Sequence, residues 1–136
     1  MTNAIDPRPR RINLDHNSPR AHSIRARNDY TDTLKAHGVE ERGYMDCTEG
    51  IYTGLFGRKS HEIRQARGLG PRTNVRDHLP EVELILVAAA EALGAERIRH
   101  EKRVGNGDCA LASYLSASNL RKAVEADRQS RSPAND

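Results

Sequence analysis

The segment from residue 80 to residue 102, PEVELILVAAAEALGAERIRHEK, limits the fold more than any other part of this sequence. It opens with Pro80, which is tolerated at the first position of a helix, and Glu81 and Glu83 follow where the helix dipole favours negative charge. The apolar residues at helical spacing form one predicted stripe: Val82, Ile85, Leu86, Ala89, Leu93 and Ile98. We therefore expect a long helix at about 80–102 around which the other helices pack.

Four further segments have helical patterns, and no stretch alternates polar and apolar residues for long enough to predict a strand. We expect helices at about 27–37, 48–55 and 60–68, and a last helix that starts at Asp108 or Ser113. Gly54 and Gly57 are expected to break the second of these. The chain has no Trp and one Phe, so Leu, Ile, Val and Ala must form most of the core. The predicted fold is all-α, a compact bundle of about five helices.

The two ends of the chain have no periodic apolar pattern. We predict a disordered basic arm at residues 1–24, a single helical domain at 25–128 and a disordered tail at 129–136. Residues 1–27 contain six arginines and two aspartates, so the arm is either a solvated tail or a segment that contacts phosphates. The early residues lack the apolar stretch of a secretory signal, and the longest apolar run is too short for a membrane span. We expect a cytoplasmic protein whose two cysteines are reduced.

The most basic segment of the chain is residues 58–76, where six arginines or lysines accompany one acid, Glu62. A helix that buries Ile63 and Ala66 has to display its basic side chains on the other face. Arginine matches phosphate and carboxylate groups, so nucleic acid and an acidic protein surface are both candidate partners, beside a merely solvated face. The predicted contact residues are Arg58, Lys59, His61, Arg64, Arg67, Arg72 and Arg76.

Other reactive residue types lack the spacing that their chemistry requires. His78 and Glu81 have no further metal ligand on their face, and Pro80 breaks the helical phase between them. Ser60, His61 and Cys47 have no orienting partner of the kind found in nucleophilic enzymes, and no phosphate-binding loop motif is present. The sequence therefore predicts no catalytic residue, no metal and no cofactor. We expect Phe56 to be a structural anchor, with base stacking as the alternative.

Several motifs, in one order over residues 44–124, resemble the C-terminal half of DNA-damage-inducible protein D. They are YTGLFG at 52–57, RQARGL at 64–69, VRDHL at 75–79, ELILVAAAEALGAERI at 83–98 and ASNLRKAV at 117–124. The Bro-type N-terminal half of that family has no counterpart in these 136 residues. The resemblance implies a factor of the bacterial DNA-damage response that acts on the filament of RecA and single-stranded DNA, with no catalytic residues.

Two functional hypotheses follow from the sequence. The first is a non-enzymatic modulator that binds a nucleoprotein complex, the RecA and single-stranded DNA filament or a similar one, through the basic helix. The second is a regulator that binds duplex DNA, such as an antirepressor or a maintenance protein of a plasmid or phage, in which the same arginines contact duplex phosphates. The two differ in whether binding requires a protein component or naked duplex.

Overall fold

The computed structural model describes residues 18–133, and within this range the chain is helical with no strand. Its five α-helices are α1 at Pro19–Ala36, α2 at Gly43–Phe56, α3 at Ser60–Ala66, α4 at Glu81–Glu101 and α5 at Asn106–Gln129. A short 3-10 helix at Val75–His78 lies between α3 and α4. This confirms the predicted all-α bundle of five helices. Most of the predicted arm and the last three residues of the predicted tail lie outside the described residues.

Helix α1 begins earlier than the predicted start at Arg27. The Ser18 hydroxyl accepts a hydrogen bond from the Ala21 N–H at 3.1 Å, and Pro19 occupies the first helical position. Both are residue types that favour a helix start at these positions. Residues 19–24, assigned to the arm from the sequence, are therefore helical, and the side chain of Ser23 is buried.

Helix α2 is longer than the predicted 48–55, and it buries Ile51, Tyr52 and Leu55 as expected. Gly54 does not break it but lies within it, facing α5. The helix ends at Gly57, whose φ of 72° is in the left-handed region that favours glycine. Phe56 is partly buried against the core and stacks on Tyr52, with ring centroids 6.2 Å apart.

Helix α4 has the predicted extent, but the predicted inner face is wrong. Val82, Ile85 and Leu93 are exposed, at 60%, 48% and 42%, and Leu86 is only partly buried. The buried face of α4 is formed by Val87, Ala90, Glu91, Gly94, Ala95 and Ile98. Of the predicted stripe only Ile98 is fully buried. The inner face carries small residues instead, Ala90, Gly94 and Ala95, and these allow the neighbouring helices to approach closely.

The core is formed mainly by the buried faces of α1, α2, α4 and α5. Helix α2 packs most extensively on α5, and α1 packs on α4, while α4 and α5 are antiparallel neighbours joined by a short loop. At the centre the Tyr30 hydroxyl lies 2.6 Å from the Ser113 hydroxyl. Since Ser113 donates its proton to the Cys109 carbonyl oxygen, Tyr30 is the donor in this bond. No helix within residues 18–133 is both long and apolar enough to cross a membrane.

Candidate functional site

A continuous groove runs between α2 and α3 at the surface of the bundle. It consists of two adjoining cavities of about 800 Å³ and about 710 Å³. Both cavities are lined by Arg42, Met45, Glu49, Ser60 and Arg64, which shows that they form one depression. We call this depression the basic groove, and its basic lining residues are Arg27, Arg42, Lys59, His61, Arg64 and Arg76.

Helix α3 displays its basic residues because it has one buried side chain, Ile63. Its first turn is fixed by two carboxylates. Glu62 accepts the Lys59 N–H at 2.8 Å, and Glu49 of α2 accepts both the backbone N–H, at 2.7 Å, and the hydroxyl of Ser60. The first N–H groups of a helix have no partner within the helix, and here carboxylates accept their hydrogen bonds. The start of α3 is therefore rigid. Glu49 therefore holds α3 at a set position beside α2 and defines the groove between them.

Besides Arg76, three of the seven predicted contact residues line the basic groove: Lys59, His61 and Arg64. Two others, Arg58 and Arg72, are exposed but are not part of its lining. Arg67 makes a two-pronged ion pair with Glu83 of α4, with N–O distances of 2.6 Å and 2.8 Å. The hydrogen bonds with Glu83 raise the pKa of the Arg67 guanidinium, so Arg67 is already engaged.

The remaining predicted residue, Arg76, points inward and ties the 3-10 helix to the core. Its two terminal nitrogens lie 2.6 Å and 3.0 Å from the carboxylate oxygens of Glu91, whose side chain is 1% exposed. Its Nε donates to the Ser23 hydroxyl at 2.8 Å. A buried carboxylate needs compensating charge and hydrogen bonds, and Arg76 supplies them. Arg76 thus lines the groove while its guanidinium is engaged by Glu91, and its contact with a partner stays a prediction.

Arg27 of α1 completes the pairing of Glu91. Its Nη1 lies 3.2 Å from Glu91 Oε2 and donates to the Thr48 hydroxyl at 3.0 Å. Arg27 and Arg76 together face a single buried carboxylate, so two positive charges meet one negative charge at the floor of the basic groove. The floor consequently has an excess of positive charge held in fixed geometry.

Three cations around the groove, Arg42, Lys59 and Arg64, have no ion-pair partner within residues 18–133. Two exposed side chains lie among them, Met45 at 60% and Tyr114 at 40% exposure. Glu41 and Asp46 also line the depression, so its charge is mixed at the edges. Unpaired cations beside an exposed aromatic ring suit a ligand that carries both phosphates and flat bases.

Sequence reasoning missed Arg27, Arg42, Met45 and Tyr114. Arg42, Met45 and Tyr114 belong to no local pattern that stands out from an ordinary helix surface, and Arg27 was counted only among the arginines of residues 1–27. The sequence does contain one indication of the buried ion pair. Glu91 is the one charged residue in the apolar stretch of residues 84–95, and a buried carboxylate requires a cationic partner. That signal points to the arginines that neutralise the buried carboxylate, Arg27 and Arg76.

The chemistry open to the described residues is limited. No group of three or more His, Cys, Asp or Glu within residues 18–133 is placed to hold a metal ion. Both cysteines are buried, and burial raises the pKa of the Cys47 thiol to about 12 and also raises that of Cys109. A thiol that stays protonated is a poor nucleophile. Covalent chemistry at these two buried cysteines, neither of which lines the basic groove, is therefore disfavoured.

Comparison of the sequence with models of protein families and with curated proteins finds no match. The resemblance to DNA-damage-inducible protein D therefore stays a prediction based on the quoted motifs.

Proposed function

We propose that this chain is a non-enzymatic binding module that contacts single-stranded DNA, in a nucleoprotein complex of the RecA filament type, through the basic groove. The observation that carries the proposal is the placement of Arg42, Lys59 and Arg64, all without ion-pair partners in the described chain, around a groove that also exposes Tyr114. The cations pair with backbone phosphates, and the ring offers a face for a base. The proposed site of action is the cytoplasm.

The groove favours a single strand over a duplex as its ligand. Base stacking on a protein side chain requires an unpaired base, whereas a duplex keeps its bases stacked on one another. Met45 adds an adaptable apolar surface next to Tyr114. A regulator of duplex DNA, the alternative function, would use the cations alone and would leave both exposed side chains without a role.

The test compares the groove with the basic sequence segment. Arg42→Ala combined with Arg64→Ala removes two groove cations, one of them outside residues 58–76. Arg72→Ala is the matched control, because Arg72 belongs to the segment but not to the groove lining. We expect the double variant to weaken binding to single-stranded DNA and to flatten the log–log salt dependence by about 0.7 for each phosphate that is no longer neutralised. Arg72→Ala should bind like the parent.

Fluorescence anisotropy with single-stranded DNA, duplex DNA and a RecA-coated strand measures these differences, and circular dichroism checks that each variant is folded. Tighter binding to the coated strand than to naked DNA supports action on a nucleoprotein complex. Preferential binding to naked duplex replaces the proposal with the regulator function. If Arg72→Ala weakens binding as much as the double variant does, the groove is not the contact site.

A further inference from the structure

Helix α4 has two apolar faces, and the described chain covers only one of them. Val87, Ala90, Ala95 and Ile98 face the core. On the other side Val82, Ile85 and Leu93 are exposed to solvent at 60%, 48% and 42%. A helix with apolar residues on all sides is typically covered by protein on all sides. The outer face of α4 therefore has the character of an interface.

The exposed face forms one wall of a second groove, which we call the outer groove, between α4 and α5. At one end Val82, Leu86, Ala123 and Val124 line a depression of about 300 Å³. At the other end Leu93, Leu120 and Ala123 line a cavity of about 620 Å³. Ala123 belongs to both, so the apolar surface is continuous along the helix pair. No residue of the outer groove lines the basic groove.

The two ends of the outer groove carry opposite unpaired charges. Arg128 lies at the end near Val82, and Glu96 lies at the end near Leu93. Neither has an ion-pair partner within residues 18–133, whereas the neighbouring Arg131 is paired with Asp127. Two copies can face each other across a two-fold axis that crosses the groove at its middle, perpendicular to its length. Each end of the groove in one copy then lies against the opposite end in the other copy. Arg128 of one copy then meets Glu96 of the other, twice.

We propose that the outer groove is the interface of a homodimer, in which α4 and α5 of two copies form a four-helix bundle. The apolar residues in the middle of the groove supply the buried core of such a bundle, and the reversed charges at its ends set the antiparallel orientation. A second copy is the occupant that satisfies both ends with one contact repeated by symmetry. The proposal is independent of the basic groove and of what binds there.

Sedimentation velocity over about 1–200 µM protein tests the interface. We expect a concentration-dependent dimer for the parent and a monomer for Leu93→Glu. Leu111→Glu is the matched control, because Leu111 is exposed to a similar degree, 51%, and lies on the opposite side of α5 from Leu120. A parent that stays monomeric throughout, or a dimer that Leu93→Glu leaves intact, overturns the proposal. Circular dichroism and a cooperative melt establish that each variant is folded.

A charge-reversal cycle then tests the orientation. Glu96→Arg and Arg128→Glu, each alone, should weaken the dimer by about tenfold, because like charges meet at both ends of the interface. The two changes combined restore opposite charges across the two-fold axis and should restore the parental dimer. If the combined variant is weaker than either single variant, the two ends do not meet and the symmetric arrangement is wrong.

Discussion

Glu91 is a carboxylate on a helix face otherwise formed by Val87, Ala90, Gly94, Ala95 and Ile98. Its two arginine partners differ in exposure, since the side chain of Arg76 is 16% exposed and that of Arg27 is 35% exposed. Breaking a buried ion pair by removing one partner is far more costly than breaking an exposed one, because the remaining charge is stranded in low dielectric. Within the basic segment, Arg76 therefore neutralises a buried carboxylate, whereas Arg67 pairs with the more exposed Glu83.

This difference predicts unequal effects for two arginine substitutions. Arg76→Ala should lower the free energy of unfolding by about 3 kcal/mol, because Glu91 keeps only Arg27 as a partner. Arg67→Ala removes the exposed pair with Glu83 and should cost less than about 1 kcal/mol. Urea denaturation followed by circular dichroism measures both. Equal losses for the two variants would contradict the structural role given to Arg76.

At the scale of elements, the closest helix contact is that of α2 with α5. A Cβ placed on Gly54 would lie 2.7 Å from the Tyr114 carbonyl oxygen and 2.8 Å from the Ala117 Cβ. Gly50 is nearly as tight, at 3.0 Å from the Ala110 carbonyl oxygen. The backbones of the two helices therefore touch where the glycines lie. This contact holds α2, one wall of the basic groove, rigidly against the longest helix.

The contact predicts opposite outcomes for two glycine substitutions. Gly54→Ala should destabilise the protein by about 1–3 kcal/mol, since the backbone of α5 has to move. Gly107→Ala, in the first turn of α5 with no atom within 4 Å of the added Cβ, should stabilise it by about 0.4–1 kcal/mol. Thermal unfolding of both variants checks the signs. A neutral Gly54→Ala would mean that the two helices do not approach this closely.

The sequence predicted which helices exist better than which faces they bury. The number of helices and the inner face of α2 follow from local pattern. The inner face of α4 does not, because both of its faces are apolar and the larger residues, Val82, Ile85 and Leu93, lie on the outside. For the candidate site, local pattern placed Lys59, His61 and Arg64 in the predicted contact set, and all three line the basic groove. Arg42 and Tyr114 reach the same groove only through the tertiary packing of α2, α3 and α5.

At the scale of the whole molecule, the core holds several tyrosine and cysteine side chains in their protonated form. Burial raises the pKa of Cys47 to about 12 and also raises the pKa values of Tyr30, Tyr52 and Cys109. In the unfolded chain these groups ionise from about pH 8.5 for thiols and about pH 10 for phenols. The unfolded state then binds fewer protons than the folded state, so the free energy of unfolding falls as the pH rises.

We therefore expect stability to be insensitive to these groups below about pH 8.5 and to decline above it. Melting temperatures between about pH 7 and about pH 10.5 measure the decline. Cys47→Ala removes one of the four groups and should show a shallower decline, whatever its starting stability. A melting temperature that does not change over this pH range would contradict the conclusion that these groups stay protonated in the folded protein. So would an equally steep fall of the melting temperature with pH in Cys47→Ala.

The pairing of Arg27, Arg76 and Glu91 also has a consequence for how sequences of this fold diverge. The three residues come from α1, the 3-10 helix and α4, and they share one buried charge. Loss of any one is costly, whereas replacing the buried pair by well-packed apolar residues is often neutral or stabilising. Mutations at these positions should therefore be accepted together rather than singly. Positions 76 and 91 should covary across homologues, and that coupled change is a signature by which remote homologues become recognisable after overall similarity has been lost.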